Sequence, residues 1–340
     1  MPKATLKDVA KRSGLSVTTT SRVLGGGNYP ISQSARGRVL ESAKELGYAP
    51  NLLARGLKNC VSNEIAVVMP TIENPFYTAM AVGIESALDG SGYSMLLYFN
   101  GRRGVRGGEL AASLKSKMVA GAIVAADCVC DGLDAVLLDM RGSGAPVVVA
   151  DYELDPPADF CGVYFDYFRG SMMSTRYLLD QGHEDIAFAT TMIDRVSRKR
   201  RVAGFKAALG QVGRAVSDGD IFQLGGGSDY ATGLALAEAI AGGKKKFTAV
   251  SAINDAVAAG LVNGFARLSA RVPQDISVMG FDDSIFAEMT VPPLTTVAVP
   301  AEAIGEMAAR RLLDSFAGSA AGHSIYIPME LRIRDSVRRV

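Results

Sequence analysis

Residues 5–24 read TLKDVAKRSGLSVTTTSRVL, which is the pattern of two short helices joined by a turn at Gly14. Thr5 and Ser16 are residue types that cap helix N-termini, and Asp8, three residues after Thr5, completes a capping box. The spacing therefore predicts a helix-turn-helix. In that motif the second helix lies in the major groove of DNA, where the side chains of its first turns reach the base edges.

A third helix is expected after the glycine-rich loop that follows. Ser32 or Ser34 can cap its start, and Gly47 follows its end, at a position where a left-handed residue is favoured. One face of this helix carries apolar side chains at helical spacing: Val39, Leu40, Ala43 and Leu46. Thr20 is expected in the same small core, where its hydroxyl group needs a partner such as a carbonyl one turn back. Residues 1–50 are therefore predicted to form a small all-α domain.

The charge is distributed unevenly along the chain. The whole chain of 340 residues has a formal net charge of +1, but its first 60 residues contain ten basic and three acidic side chains. The remaining residues are therefore acidic on balance. A basic head on an acidic body is typical of a protein that binds nucleic acid through one small domain.

A different pattern begins at Glu64, where short apolar runs start to alternate with amphipathic stretches. This alternation predicts an α/β body with parallel sheets flanked by helices. One sheet does not accommodate so many strands comfortably, so we expect two lobes. The predicted strands are Ile65–Met69, Ser94–Tyr98, Gly121–Ala125, Pro146–Ala150, Gly162–Phe165, Ile186–Thr190, Ile221–Leu224, Ala249–Ile253 and Ile276–Phe281.

Several classes of protein are disfavoured by features that the sequence lacks. The four cysteines have no metal-site spacing, which predicts reduced thiols and no bound metal. The sequence has no nucleophile elbow, phosphate loop or metalloprotease signature, so we expect neither an enzyme nor a cofactor. A polar helix follows residue 3 directly, and no stretch is apolar enough to span a bilayer. We therefore expect a cytoplasmic, nucleoid-associated protein without a secretory signal.

Short motifs occur along the chain in a characteristic order and spacing: TLKDVA (5–10), GLS (14–16), SRVL (21–24), LGYxPN (46–51), NPFY (74–77), GHxxIA (182–187), RxxGF (201–205), ND (254–255), GFDD (280–283) and PPLTTV (292–297). In these motifs the sequence resembles the lactose-repressor (LacI/GalR) family of bacterial transcription regulators, over nearly its whole length. The resemblance implies a DNA-binding head (1–50), a hinge helix and linker (51–62), and a body for effector binding and dimerisation (63–340).

The body that the resemblance implies has the two-lobed fold of type I periplasmic binding proteins. Two doubly wound parallel sheets would enclose a ligand cleft at the C-terminal ends of their strands. We expect the first lobe to contain residues 63–164 and 297–325, and the second to contain residues 165–292 and 326–340.

In the head, Val17, Thr18 and Arg22 are the predicted base-contacting residues. Thr18 and Arg22 are four residues apart and therefore share a helix face. Arg22 can bind guanine through two hydrogen bonds, and Val17 can pack on a thymine methyl group. The other predicted DNA contacts, chiefly to phosphates, are Thr5, Lys7, Ser16, Thr19 and Ser21. The alternative is a solvated basic surface with no specific partner.

Residues 51–58 match the family's hinge helix. The resemblance implies that this helix folds on operator DNA and wedges a leucine into the minor groove. Leu57 occupies that position, Ala54 lies beside it and Asn51 caps the helix, so all three are predicted DNA contacts. Gly56 costs about 1 kcal/mol of helix propensity relative to alanine, which predicts a weak hinge. The alternative is a linker helix that packs on the body.

The predicted effector contacts follow motifs or strand ends of the body: Phe76, Tyr77, Asp166, Arg201, Asn254 and Asp282. Arg201 is expected to grip ligand oxygens, and Asn254 and Asp282 to hydrogen-bond to hydroxyl groups. The two aromatic residues could instead belong to the core. Asp255 is expected to cap its helix rather than to bind ligand.

The nature of the effector is less sharply indicated. Residues 198–200 are expected to form a solvated charge run, but the density of arginine around Arg201 raises the hypothesis of an acidic effector, such as a sugar acid or a sugar phosphate. Ser228 stands where the family often has an aromatic residue that stacks on the ligand, which disfavours a simple neutral sugar.

These features together predict a repressor that binds a near-palindromic double-stranded operator under the control of a sugar, a sugar acid or a related metabolite. A homodimer is favoured over a tetramer. Two rival functions share parts of this description. A periplasmic solute receptor has the same body but needs no basic head, and a sugar-metabolising enzyme requires a catalytic signature.

Overall fold

The computed structural model describes residues 4–25, 30–48, 62–99, 105–125, 129–131, 139–140, 142, 144–151, 161–193, 195–318 and 324–340. The chain divides into two compact units, Met1–Ser62 and Asn63–Val340. We refer to them as the head and the body. No helix in the described ranges combines the length and the apolar character needed to cross a membrane.

The head contains three helices, and each begins at a capped residue: α1 (Leu6–Ser13), α2 (Val17–Leu24) and α3 (Gln33–Glu45). Thr5 and Asp8 form the predicted capping box, the Ser16 hydroxyl accepts from the Thr19 N–H, and Ser32 caps α3. Gly14 ends α1 with φ +67, a left-handed conformation that glycine adopts without steric cost. The predicted helix-turn-helix is confirmed, with its two helices capped at Thr5 and Ser16 and its turn at Gly14.

The core of the head is small. Its buried apolar residues are Val9, Val23, Val39 and Ala43. Leu40 differs from its predicted place, because 52% of it is exposed. Thr20 is fully buried as predicted, but its hydroxyl has no hydrogen-bond partner among the described residues. A buried polar group without a partner costs about 1–3 kcal/mol, so this core carries an internal defect.

The first lobe of the body has a six-stranded parallel sheet in the order β13-β7-β6-β4-β1-β2. Two helices, α4 and α11, pack on each other beside it, and a Cβ atom placed on Gly83 would lie 1.9 Å from the Glu302 carbonyl oxygen. The strands are β1 (Glu64–Met69), β2 (Ser94–Phe99), β4 (Gly121–Ala125), β6 (Val147–Ala150), β7 (Cys161–Tyr164) and β13 (Ile325–Tyr326). The helices are α4 (Pro75–Leu88), α5 (Gly107–Ser116) and α11 (Ala301–Phe316), and β3 (Val105–Arg106) pairs separately with β5 (Val129–Asp131).

The second lobe has a sheet in the order β14-β12-β11-β10-β8-β9, in which only the edge strand β14 is antiparallel to its neighbour. Its strands are β8 (Ile186–Thr190), β9 (Ile221–Gln223), β10 (Ala249–Ala252), β11 (Ser277–Asp282), β12 (Thr295–Ala298) and β14 (Glu330–Arg332). Its helices are α6 (Tyr167–Asp180), α7 (Val196–Gln211), α8 (Asp229–Gly242), α9 (Asp255–Arg267) and α10 (Ile285–Met289). Residues 297 and 298, predicted for the first lobe, lie in this sheet because β12 continues to Ala298. Tyr326, predicted for the second lobe, instead pairs with Tyr164 in the first-lobe sheet.

The chain passes between the lobes at three places: between β7 and α6, between β12 and α11, and between β13 and β14. Parallel strands within a lobe all end at the same sheet edge, so the loops after β1 and after β8 to β11 are brought towards one cleft. His183 does not lie in that cleft. Its ring nitrogens contact the Thr248 hydroxyl at 2.9 Å and the Arg338 carbonyl at 3.0 Å, so both take part in structural hydrogen bonds.

Candidate functional site

One face of α2 is exposed and combines apolar, hydroxyl and cationic side chains. Val17, Thr18, Ser21 and Arg22 are all exposed, and they follow the spacing of adjacent positions on a helix. Val17 is 43% exposed. Thr20 and Val23 lie on the opposite, buried face. The predicted base-contacting residues are thus presented together.

The hydroxyl side chains at the helix starts are engaged in caps. Thr5 donates from its hydroxyl to Asp8 at 2.7 Å, and the Ser16 and Thr19 hydroxyls are 2.8 Å apart. The hydrogen bonds from Thr5 hold the pKa of Asp8 below its usual value. These contacts fix the starts of α1 and α2. Lys7 is exposed on α1.

The hinge residues cannot be placed in the same way. Asn51, Ala54 and Leu57 lie outside the described residues, so their predicted contacts with DNA remain predictions.

The body contains a cavity of about 450 Å³ between its two lobes. The first lobe contributes the loop after β1 and the start of α4, and the second contributes the loops that follow β8, β9 and β10 and the end of β11. Five of the predicted effector contacts line the cavity: Phe76, Tyr77, Arg201, Asn254 and Asp282. Asp166 is not among the lining residues, and its carboxylate caps α6 by accepting from the Arg169 N–H at 2.9 Å.

Arg201 is held on several sides. Its guanidinium lies over the Tyr167 ring at 4.3 Å and the Phe281 ring at 4.0 Å. It also donates to the Ile253 carbonyl and to Asp282, whose Oδ1 lies 3.4 Å from Nη2. A planar cation stacked on aromatic rings and anchored in this way is pre-organised to meet ligand oxygens.

Asp282 is strained and buried. Its φ angle is +111, a conformation that non-glycine residues adopt rarely and that clusters at functional sites. Burial raises its pKa to about 7, against the lowering effect of Arg201 and of a hydrogen bond from Asn74. Asn74, which caps α4 in the first lobe, lines the same cavity.

The structure changes the roles predicted for Asn254 and Asp255. Asn254, not Asp255, caps α9 by accepting from the Val257 N–H at 2.9 Å. Asp255 is fully buried and accepts from the Ser284 N–H and the Thr296 hydroxyl, both at 2.7 Å. Burial raises the pKa of Asp255 to about 8. The predicted cap at Asp255 is therefore wrong. Its carboxylate instead joins the start of α9 to Ser284 and to Thr296 of β12.

The aromatic pair belongs to both the core and the cavity. Phe76 is 5% and Tyr77 8% exposed, and their rings are in edge contact at 5.1 Å. The Tyr77 hydroxyl donates to Asp151 at 3.3 Å, and the Tyr167 hydroxyl donates to the same carboxylate. Asp151 therefore fixes one cavity-lining tyrosine from each lobe.

Arginines form one wall of the cavity. Arg195, Arg198 and Arg201 are spaced by three residues along the start of α7, and all three line the cavity. Arg198 was predicted to be part of a solvated run, but it faces the ligand space. Arg200 has its guanidinium 5.3 Å from the Phe168 ring and is not among the lining residues.

The chain is similar to known proteins in both its head and its body. Residues 5–51 match the model described as bacterial regulatory proteins, lacI family, and residues 175–337 match the periplasmic binding protein-like domain. The HTH-type transcriptional repressor PurR of Vibrio parahaemolyticus serotype O3:K6 (strain RIMD 2210633) is 30% identical over 341 residues, which cover 99% of each chain. The chain belongs to the lacI family of bacterial regulatory proteins.

Solved structures show the same fold as this lacI-family chain. The transcriptional regulator CelR–cellobiose complex is 27% identical, with a TM-score of 0.71, and the match covers 98% of this chain and 99% of that one. The lac repressor dimer bound to operator and the anti-inducer ONPF is 24% identical, with a TM-score of 0.85 and coverage of 99% and 100%. The predicted head and two-lobed body are confirmed, and the chain is a DNA-binding transcriptional regulator.

Some cavity residues of this lacI-family regulator were not predicted. Asn74, Tyr167, Thr191, Arg195 and Asp229 all line the cavity. Only Asn74 carried a usable signal, since it belongs to the NPFY motif. Ser228, which replaces a common aromatic residue, caps α8 and lines the cavity. Among the described residues, no group of histidine, cysteine, aspartate and glutamate side chains could hold a metal ion.

Proposed function

We propose that this chain is an operator-binding repressor whose affinity for DNA is set by a small, polyhydroxylated and acidic metabolite bound in the cavity of the body. Two features of one chain carry the proposal. The head has an exposed face on α2 with the predicted base-contacting residues, and the body has a cavity of about 450 Å³ that charged and polar groups line. A cavity of that size is suited to a small ligand. The similarity to PurR, a transcriptional repressor, supports the DNA-binding half of the proposal. The similarity to CelR, whose structure contains cellobiose, supports the ligand-binding half.

The DNA-binding half rests on the head. Val17, Thr18 and Arg22 would contact base edges, while Thr5, Lys7, Ser16, Thr19 and Ser21 would position the helices on the phosphates. Two heads of a homodimer would read the two halves of a near-palindrome on nucleoid DNA in the cytoplasm, because the symmetry of a dimer imposes symmetry on its site. Asn51, Ala54 and Leu57 would add contacts in the minor groove between the half-sites.

The acidic character of the effector rests on the arginine wall. Arg195, Arg198 and Arg201 lie on one face of α7 at the cavity, and the first turn of this helix contains no acidic residue. The positive end of the helix dipole adds to their charge. A carboxylate or phosphate group on the ligand would therefore be favoured at this wall.

Selection from a random duplex library tests the DNA-binding half. We expect the full chain to enrich a near-palindromic site with two half-sites. Enrichment of no sequence over random competitor would overturn the repressor proposal.

A titration of the selected duplex with matched ligand pairs tests the effector half. D-Glucose is compared with D-gluconate and D-glucose 6-phosphate, and D-galactose with D-galacturonate. We expect the acidic member of a pair to change operator affinity more than the neutral one, and Arg198→Gln to remove that preference. Arg200→Gln is the matched control, because it removes the same charge from the same helix outside the cavity. A neutral sugar that acts while its acids do not would overturn the acidic class.

A further inference from the structure

A row of polar side chains lies at the C-terminal edge of the second sheet. Strands β10 and β11 pair in parallel with Ala249 opposite Ser277 and Ser251 opposite Met279. Asn254 follows the end of β10 by two residues, and Asp282 is the last residue of β11, so both lie at the C-terminal edge of two adjacent strands. Both residues line the cavity, and each is more than nine-tenths buried.

The oxygen and the nitrogen of the Asn254 side-chain amide both form hydrogen bonds within the protein. Its oxygen accepts from the Val257 N–H at 2.9 Å, and its nitrogen donates to Asp229 Oδ2 at 2.8 Å. The first contact is a helix cap, and the second reaches across to the first residue of α8. The geometry therefore makes Asn254 a support for Asp229.

Asp229 is a half-buried carboxylate that lines the same cavity. An ionised carboxylate is an acceptor with about four lone-pair sites, so the single bond from Asn254 does not exhaust it. Asp229 lies close enough to Asp282 to raise the pKa of that carboxyl. Asp229 accepts from Asn254 and Asp282 accepts from Arg201, and the remaining acceptor sites of both carboxylates can take hydroxyl donors from a molecule between the lobes.

A further buried group supports the same requirement. Thr191 lines the cavity and is 8% exposed, and its hydroxyl has no hydrogen-bond partner in the described part of the chain. A hydroxyl buried in this way needs a partner. A ligand that has hydroxyl groups of its own would supply both a donor and an acceptor.

We propose that Asp229 is the residue that determines specificity in this cavity, that Asn254 positions it, and that Asp229 and Asp282 together select a ligand that presents hydroxyl hydrogens to both carboxylates. This inference rests on the proposed function, because it names the groups that the effector must offer in addition to its acidic group. A flat heterocycle with few donors would leave one carboxylate unpaired and bind poorly. Loss of one hydrogen bond to a charged group corresponds to a change in affinity of about 10- to 100-fold.

A thermal-shift and calorimetric panel on the full chain tests the inference. The probes are D-glucose, D-galactose, D-ribose, D-gluconate, D-galacturonate and D-glucose 6-phosphate, with hypoxanthine as a heterocycle that lacks hydroxyl groups. We expect at least one hydroxylated probe to stabilise the wild type and Asp229→Asn to raise its Kd about 10- to 100-fold. Glu238→Gln, an exposed change on the same helix, should bind as the wild type does.

The positioning role of Asn254 has its own readout. Asn254→Ser keeps a side chain that can cap α9 but removes the amide donor to Asp229. We expect the Tm of the ligand-free protein to be nearly unchanged while the Kd rises. In the double variant with Asp229→Asn, the two losses should not add, because both act through the same carboxylate. Additive losses would overturn the positioning role.

The proposed ligand class and the proposed role of Asp229 can each be overturned. Stabilisation by hypoxanthine alone, or by none of the probes, would overturn the hydroxylated class. A probe that binds the wild type and Asp229→Asn equally well would overturn the role of Asp229. If that probe still changes operator affinity, the proposed function stands and only this inference fails.

Discussion

The head and the cavity of the body place their functional side chains by different means. On α2, the exposed face follows from helix periodicity and from a cap three residues away, Ser16 on the Thr19 N–H. In the cavity, Arg201 meets Asp282 across 81 residues of sequence, and Asn254 meets Asp229 across 25. The DNA-binding surface is thus a local structure, whereas the ligand site exists only when two sheets and their loops have assembled.

This difference predicts where each half of the protein is vulnerable. A substitution on α2 should change DNA recognition without altering the body, whereas loss of the buried Arg201–Asp282 contact should alter both the stability of the body and the response to ligand.

Arg201→Ala should have the largest effect. Removing one partner of a buried ion pair costs about 3–5 kcal/mol, because the remaining charge is left buried, and Asp282 is only 6% exposed. We expect the free energy of unfolding of the body to fall by about that amount at pH 8, and the operator response to ligand to be lost. Urea unfolding and operator titration measure the two effects. Arg200→Ala is the control, and a variant that still responds normally to ligand contradicts the assignment.

The stability of the body should decrease as the pH rises from 6.5 to 8.5. The pKa of Asp282 is raised to about 7 and that of Asp255 to about 8, while both are near 3.9 in an unfolded chain. The folded state therefore retains protons that the unfolded state has released, and stability is lost as the pH rises through the folded pKa values. Burial lowers the pKa of His183, which opposes this trend only below about pH 6.5, where the unfolded imidazole becomes charged.

Urea unfolding at a series of pH values measures this trend. Asp255→Asn should remove a large part of the slope above pH 7, since it deletes the group with the higher pKa. A flat profile for the wild type between pH 6.5 and 8.5 would show that these carboxyls do not hold protons in the folded state.

Arg22→Ala should weaken binding to the selected operator by about 1–3 kcal/mol and relax the preference at one base pair. The reason is the loss of two hydrogen bonds to guanine, which carry sequence information. Competition titrations with single-base variants of the selected duplex measure it. Lys44→Ala, an exposed charge near the end of α3, should weaken all sequences alike or not at all. If Arg22→Ala keeps full discrimination, another residue reads that base.

Thr20→Val should have the smallest effect, and it should be stabilising. The side chain keeps its shape, and the buried hydroxyl that has no partner in the described residues is removed, which should be worth about 1 kcal/mol. Thermal unfolding of the head measures the change, and operator discrimination should be unaltered because Thr20 lies on the buried face. A lower Tm for the variant would show that the hydroxyl has a partner in solution.

Sequence reasoning succeeded where the physical cause is local. The capping box at Thr5, the cap at Ser16 and the turn at Gly14 each depend on neighbours within four residues. The strands of the body were predicted from short apolar runs, since strands buried on both faces contain few polar residues. Five of the described strands were missed. β3, β5 and β13 have only two or three residues, the polar Thr295 and Thr296 interrupt the apolar pattern of β12, and Arg332 lies on the exposed edge strand β14.

The errors in the cavity share one cause. Asp166 and Asn254 both follow strands and both cap helices, yet only Asn254 lines the cavity. Nothing in the local sequence separates the two. Asp229 was missed because it follows an exposed glycine loop rather than a strand, and Arg198 because a run of four basic residues hides which members face inwards.

The sequence by itself determined the basic three-helix head, the alternation of strands and helices in the body, and the side chains that α2 exposes. These depend on dihedral preferences, caps and periodicity, which act over a few residues. Only the tertiary structure decided which polar groups share the cavity, because parallel strands bring together residues that are far apart in the chain. Whether Asp282 binds a cation, an amide or a ligand is therefore settled by the loops that converge on its sheet edge, not by the residues beside it.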